Sequence, residues 1–104
     1  MTIGVIQDYE GSLDLYDQAS ERLNTRDDPP EGLIFHWAAQ LDDSHIRIVD
    51  VWESQQALDQ WFAKIQSLKQ ELDIPEPKLQ LLDVHNYQVG GSGRQMSDSA
   101  QQGT

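Results

Sequence analysis

The chain has 104 residues, no cysteine, and a formal net charge of -11 from seven Lys and Arg against 18 Asp and Glu. This length predicts a single domain. The acidic balance argues against nucleic acid and anionic membranes as partners, because both require a basic surface. The absence of cysteine excludes disulfides, thiolate catalysis and cysteine-based zinc sites. No apolar run reaches about 18 residues and no leader-like segment is present, so we expect a cytoplasmic protein.

The first part of the chain predicts a strand followed by an amphipathic helix. The strand is indicated by the β-branched and apolar residues of TIGVIQDY. Ser12 is a suitable N-cap for the next segment, in which Leu15 or Tyr16, Ala19 and Leu23 recur at helical spacing. The segment NTRDDPPEG then ends the helix, because two prolines and a glycine favour a surface loop.

Two further strands, LIFHWAAQ and HIRIVDVW, are predicted to form a hairpin through the turn-like segment LDDS. Strand alternation places Leu33, Phe35 and Trp37 on one face and Ile34 with His36 on the other. Apolar side chains therefore occupy both faces, which predicts a sheet covered on both sides. Two helices can cover only one face of a small sheet, so a second copy of the chain is the simplest cover for the other.

The second helix is predicted from Ser54, a suitable N-cap, and from an apolar stripe formed by Leu58, Trp61, Ile65, Leu68 and Leu72. The segment DIPEP ends this helix, and KLQLLDVHNYQV predicts a last strand. From residue 90 onward the chain is rich in Gly, Ser and Gln and lacks apolar periodicity. We therefore expect one domain over residues 1–89 and a flexible tail over residues 90–104.

The element order β-α-β-β-α-β predicts an α+β protein with the ferredoxin-like arrangement, in which two helices cover one face of a four-stranded antiparallel sheet. The segments PPEGLIFHWA, IRIVDVWES, ALDQWF and PKLQLLDVHN resemble the antibiotic biosynthesis monooxygenase-like proteins of the dimeric α/β-barrel superfamily, and more closely an uncharacterised bacterial branch of them. The resemblance covers roughly residues 2 to 87. It implies a homodimeric α/β barrel, with a small cavity in each subunit between the sheet and the helices.

The superfamily includes cofactor-free oxygenation of aromatic polyketides and haem degradation, and fold alone does not choose between them. The haem-degrading branch carries an iron-ligating histidine on the second helix, whereas this chain has Glu71 near that position and no histidine on the helix. The first strand carries Gln7, with no obvious asparagine. Both departures argue against haem cleavage.

His36 and Asp50 are the first candidate catalytic residues. A neutral imidazole in an apolar pocket is able to act as a general base near neutral pH, and His36 lies in the middle of a predicted strand. Asp50 interrupts the apolar segment RIVDVW, and a buried carboxylate requires a partner. A histidine on a neighbouring strand would make Asp50 a site residue, and a backbone or lysine partner would make it structural.

His85 is the third candidate catalytic residue, with Asp83 two residues earlier as the carboxylate that would orient it. The alternative is that both histidines serve the sheet or the dimer contact. Trp52, Trp61 and Phe35 are the candidate substrate-binding residues, although aromatic side chains more often form the core of a small domain. The histidine spacing is not that of a metal site and there is no phosphate-binding loop, so we expect neither a metal nor another cofactor.

The sequence thus predicts a homodimer that binds a small, flat, apolar or aromatic molecule. If the protein is an enzyme, the reaction is cofactor-free oxygenation or proton abstraction, with His36 or His85 as base and Asp50 or Asp83 as the orienting carboxylate. The rival hypothesis is a homodimeric ligand-binding or accessory protein without catalysis.

Overall fold

The computed structural model describes residues 1–90, and the predicted tail over residues 90–104 lies, beyond its first residue, outside the described part. The chain forms six elements in the order β-α-β-β-α-β, as predicted. Their bounds are β1 Ile3–Glu10, α1 Leu13–Leu23, β2 Leu33–Asp42, β3 His45–Trp52, α2 Gln55–Glu71 and β4 Lys78–Asp83.

The four strands form one antiparallel sheet in the order β2-β3-β1-β4. Strands β1 and β3 are central and pair with each other from Ile3 opposite Trp52 to Glu10 opposite His45. The ferredoxin-like prediction is therefore confirmed for the single chain. Among residues 1–90, no helix is both long enough and apolar enough to cross a membrane.

The core lies between the helices and one face of the sheet. Its buried cluster consists of Ile3 and Val5 of β1, Trp52 of β3 and Leu58 of α2. Partly buried apolar side chains pack around this cluster, among them Trp61 of the same helix. Burial alternates strictly along β1, so every second residue from Ile3 to Tyr9 faces the helices.

Both helices begin at the serines that the sequence indicates. Ser12 accepts a hydrogen bond from the backbone N–H of Leu15 at 3.2 Å, and Ser54 accepts one from Ala57 at 3.1 Å. Each bond satisfies one of the N–H groups that a helix leaves unpaired at its start. Both predicted N-caps are thus confirmed.

The register of β2 differs from the predicted alternation at its first residues. A β-bulge between Leu33 and Phe35 places Leu33 opposite Trp52 and Phe35 opposite Val51. Leu33 therefore packs against the core, whereas simple alternation places it on the face of Phe35. Beyond the bulge, His36 lies opposite Asp50 on the helix-covered face and Trp37 lies on the other.

The last strand is shorter than the sequence predicts, because it ends at Asp83 rather than continuing to Val89. Asp83 pairs with Ile3, the first residue of β1, and the N–H of Val84 donates to the carbonyl oxygen of Thr2 at 3.0 Å. Beyond this point β1 offers no further backbone to pair with. The segment after Val84 consequently forms no strand up to Gly90.

The sheet face opposite the helices is open and carries exposed apolar side chains. Phe35 is 46% exposed, Trp37 40% and Leu82 46%. Arg47 lies at one end of this face and makes two bonds to Asp8, from Nε to Oδ1 at 2.8 Å and from Nη2 to Oδ2 at 3.0 Å. We call this surface the open face, and the sheet surface beneath the helices the covered face.

Candidate functional site

Asp50 is a buried carboxyl group in the middle of a central strand. It lies on the covered face, opposite Val5 of β1 and His36 of β2, and is 3% exposed. Its Oδ1 lies 2.5 Å from Nδ1 of His36, and its Oδ2 accepts a hydrogen bond from Nε1 of Trp52 at 3.3 Å. Each carboxyl oxygen thus has a partner, which offsets part of the cost of burying the group. Of the two predicted alternatives, Asp50 has the histidine partner.

His36 connects the buried carboxyl group to the first helix. Its Nδ1 faces Asp50, and its Nε2 lies 2.6 Å from the hydroxyl oxygen of Tyr16. Because an ionised carboxylate only accepts hydrogen bonds, we assign the ring proton of a neutral His36 to Nδ1, so that Nε2 accepts the Tyr16 proton. The side chain of His36 is 32% exposed, so it lies between the buried carboxyl group and solvent.

Tyr16 is the member of this chain of hydrogen bonds that the sequence does not reveal. It occupies the sheet-facing stripe of α1, where an aromatic side chain is normally part of the core. Its ring is nearly parallel to the imidazole of His36, with a centroid distance of 6.1 Å and an interplanar angle of 11°, so the two rings lie end to end across the hydrogen bond. Burial raises the pKa of Tyr16, which keeps its hydroxyl protonated and able to donate to His36.

The order of groups is therefore Asp50, His36 and Tyr16, from the interior outward. A buried carboxylate fixes the tautomer and orientation of the imidazole, and the opposite ring nitrogen receives a proton. The arrangement is that of a general base with its orienting group, in which the tyrosine hydroxyl occupies the place of the proton donor. A ligand hydroxyl or acidic C–H that reaches Nε2 has to displace this hydroxyl or exchange a proton through it.

The predicted aromatic residues lie in three different environments. Trp52 is 1% exposed, forms part of the core, and donates its indole N–H to Asp50. Trp61 of α2 packs against Trp52 with a centroid distance of 6.2 Å. Phe35 lies on the open face, on the opposite side of the sheet from His36. Trp52 thus contacts Asp50 and Trp61 packs behind Trp52, whereas Phe35 lies on the other side of the sheet.

The other predicted base lies away from this group. His85 is an exposed residue in a bend after the end of β4, and Asp83 is the exposed last residue of that strand. The third histidine, His45, begins β3 and has its Nδ1 2.8 Å from Oδ1 of Asp42, the last residue of β2. The structure therefore joins one histidine, His36, to a buried carboxyl group.

A cavity of about 130 Å³ lies farther along the covered face, between α2 and the strands β1 and β4. His36 and Asp50 do not line it, but Gln7, which does, is a diagonal neighbour of Asp50 in the sheet. Such neighbours are about 7–8 Å apart. A second, wide-open groove lies at the hairpin end and is lined by Glu10, Gly11, Asp43, Ser44 and His45.

No group of three or more His, Asp or Glu side chains within residues 1–90 is arranged to hold a metal ion. Glu71, near the position where the haem-degrading branch carries its histidine, instead accepts a hydrogen bond from Arg22 of α1 at 2.5 Å. This pair joins the exposed ends of the two helices.

No family model matches the chain, and no curated protein matches it significantly. Solved structures do match it. The cofactor-independent oxygenase SnoaB from Streptomyces nogalater, as the mutant N63A, is 12% identical with a TM-score of 0.64, covering 83% of this chain and 95% of SnoaB. A protein of unknown function from Nitrosomonas europaea is 10% identical with a TM-score of 0.66, covering 88% and 96%.

A further match is a protein from Chloroflexus aurantiacus that is provisionally named an antibiotic biosynthesis monooxygenase. It is 17% identical with a TM-score of 0.62, and the match covers 86% of this chain and all of that one. At such identities the likeness concerns the fold. The resemblance drawn from the sequence is thus confirmed at that level: the chain has the ferredoxin-like fold of the antibiotic biosynthesis monooxygenase-like structures.

Proposed function

We propose that this protein binds a small, flat, apolar or aromatic molecule and acts on it as a cofactor-independent monooxygenase, with His36 as the general base. The observation that carries the proposal is the hydrogen-bonded chain from Asp50 through His36 to Tyr16. A buried carboxylate holds the imidazole in the tautomer whose Nε2 accepts a proton. The likeness in fold to a cofactor-independent oxygenase supports the same reaction class.

The reaction requires little from the protein beyond a base and a shielded site. The base removes a proton from an acidic C–H of the substrate, and the resulting carbanion reacts with molecular oxygen. When the reacting carbon is a methylene group, it becomes a carbonyl group and one oxygen atom leaves as water. Asp50 stabilises the imidazolium that forms on His36, and the Tyr16 hydroxyl returns a proton to the reduced oxygen.

The second part of the proposal is that the protein is a homodimer joined through the open face. This face exposes Phe35, Trp37 and Leu82, and apolar patches of this kind mark interaction sites. It is continuous with two β-branched residues of the central strand β3, Val49 and Val51. A second copy presents an identical surface, so a twofold contact buries both patches at once.

The rival is a homodimeric binding or accessory protein without catalysis. One observation favours it: the Tyr16 hydroxyl already satisfies Nε2 of His36, so the chain of hydrogen bonds is complete without a ligand. In that case His36 stabilises the contact between α1 and the sheet. The two functions predict different effects on turnover when the imidazole of His36 is replaced by an amide of similar size.

The experiment compares His36→Gln with His85→Gln as the matched control. Oxygen uptake is measured with a panel of flat aromatic ketones that carry an acidic methylene group, and the mass of the protein is measured by light scattering. Lost turnover in His36→Gln alone, with the dimer intact, supports the enzyme. Unchanged ligand affinity in His36→Gln, with a lower thermal stability of the variant and no oxygen uptake by the unmodified protein, supports the rival. Equal turnover in both variants contradicts His36 as the base.

A further inference from the structure

A lysine side chain is largely buried beside the cavity between α2 and the strands β1 and β4. Only 12% of the Lys69 side chain is exposed, although an ammonium group is costly to bury unless it has a close partner. Its Nζ lies 3.3 Å from Oε2 of Glu76 and 5.6 Å from the centre of the Tyr9 ring. The Glu76 side chain is 75% exposed, so this ion pair is weak and easily exchanged.

A second polar group from the sheet faces the same cavity. Gln7 is 4% exposed, lines the cavity, and accepts a hydrogen bond from the Tyr9 hydroxyl at 2.8 Å through its Oε1. This bond leaves the two N–H donors of the amide available to the cavity. The lining thus combines an ammonium group and amide donors with apolar side chains, namely Phe62, Ile65, Pro77 and Leu79.

We propose that this cavity is a binding site for a small carboxylate with a single ring, whose anionic group pairs with Lys69 and accepts a hydrogen bond from Gln7. The volume of about 130 Å³ is close to that of cavities of about 150 Å³ that accommodate benzene. The apolar lining receives the ring, and the carboxylate displaces the Glu76 side chain from Lys69. The proposal concerns binding alone and does not depend on His36 acting as a base.

The acidic net charge of the chain makes it possible to distinguish specific binding of a carboxylate from nonspecific attraction of anions. With a net charge of -11, the protein repels anions in general, so an anion that binds has a specific cationic partner. Lys64 offers a matched control on the same helix. Its Nζ lies 5.8 Å from the centre of the Trp61 ring, and it does not line the cavity.

The test is a titration with benzoate, with benzamide as the neutral probe. It is followed in ¹H–¹⁵N spectra through the side-chain amide signals of Gln7 and of Gln66, which also lines the cavity. Benzoate should shift both signals and bind more tightly than benzamide. Lys69→Met should weaken benzoate binding about tenfold or more, the scale of one lost ion pair in a partly buried site, while Lys64→Met leaves it unchanged.

A third variant keeps the proposal falsifiable if Lys69→Met does not fold. Glu76→Gln changes an exposed side chain that competes for Lys69, so it should strengthen benzoate binding several-fold. Absence of amide shifts at millimolar benzoate overturns the proposal, as does equal binding of benzoate and benzamide. An equal loss in Lys69→Met and Lys64→Met also overturns it, because the effect is then one of net charge.

Discussion

The Nδ1 atom of His36 lies 2.5 Å from Oδ1 of Asp50, and the two residues are direct partners across the β2–β3 pair. Strand pairing brings the two side chains within reach of each other, because directly opposed residues on one face have Cβ atoms about 4.5–5.5 Å apart. The hydrogen bond between them then orients the imidazole without any ligand.

Asp50→Asn should change the tautomer of His36. The Asp50 carboxyl group accepts from both His36 and Trp52, and a carboxamide oxygen placed toward Trp52 directs its NH₂ group at Nδ1. Nδ1 then becomes an acceptor and the proton moves to Nε2. We also expect a loss of about 1–3 kcal/mol in the free energy of unfolding, from one impaired buried bond.

Imidazole ¹⁵N chemical shifts measure this tautomer directly. Asp83→Asn, which alters an exposed carboxyl group at the end of β4, is the control and should leave the shifts of His36 unchanged. An unchanged tautomer in Asp50→Asn would mean that Tyr16, rather than Asp50, orients the ring.

Tyr16→Phe should slow the proposed reaction while leaving the fold intact. The ring beside His36 remains, and one exposed hydrogen bond is lost, which costs about 0.5–1.5 kcal/mol. The rate should fall because no group returns the proton to reduced oxygen. Thermal unfolding and oxygen uptake are measured together, with Tyr87→Phe, which alters an exposed tyrosine, as control. A faster reaction in Tyr16→Phe would instead identify the hydroxyl as a block on Nε2.

The sequence predicts the covered face better than it predicts the chain of hydrogen bonds on it. Element order and both N-caps follow from local patterns such as the serine before each apolar stripe. The unusual position of Asp50 also predicts that it needs a partner. The identity of that partner depends on the register of β2, which a bulge after Leu33 determines, and the sequence carries no clear sign of this bulge.

Tyr16 could not be found from the sequence for a different reason. Its place on the apolar stripe of α1 follows from helical spacing, but its hydroxyl reaches His36 only because α1 packs over that part of the sheet. Helix placement is a tertiary property, and the apolar stripe sets only which side faces inward. For His85 the sequence indicates a partner that the fold does not supply. A spacing of two residues puts Asp83 and His85 on one face only if both lie in a strand, and the strand ends at Asp83.

Trp37→Glu should convert the proposed dimer into a monomer. The side chain lies on the open face in the middle of the edge strand β2, where a carboxylate buried in the dimer without a partner is costly. Sedimentation velocity should give the mass of two chains for the unmodified protein and of one chain for the variant. Leu13→Glu places the same charge on an exposed residue of α1 and should leave the dimer intact. A monomeric unmodified protein at micromolar concentration would contradict the proposal.

Gly32→Ala should destabilise the fold at the contact between the start of β2 and α2. Gly32 has a φ of +88°, and an added Cβ would lie 2.5 Å from Cβ of Ala57 in the first turn of α2. The backbone conformation alone costs an L-residue about 1–2 kcal/mol, and the clash adds to this. Chemical denaturation measures the loss. At Gly90 an added Cβ meets no atom of residues 1–90 within 4 Å, so Gly90→Ala should be neutral, and equal stability of the two variants would contradict the close approach of α2 to Gly32.

Raising the pH above 10 should destabilise the protein through Tyr9. Burial first, and then the charges of Glu76 and Asp50, raise the pKa of Tyr9 from 10.0 to about 12. Below pH 10 the phenol is protonated in both states, so the full stability is present. Between pH 10 and about 12 the unfolded chain loses this proton and the folded protein keeps it, which removes up to about 2–3 kcal/mol of the free energy of unfolding.

Tyr9→Phe should therefore flatten the alkaline part of the stability curve. At neutral pH the variant should be less stable by about 0.5–1.5 kcal/mol, because the bond to Gln7 is lost. A smaller slope should remain, since burial also raises the pKa of Tyr16. Urea denaturation at several pH values provides the curve, and Tyr87→Phe should keep the full slope because that side chain is exposed. If Tyr9→Phe loses stability as steeply as the unmodified protein, the alkaline sensitivity arises elsewhere in the sheet.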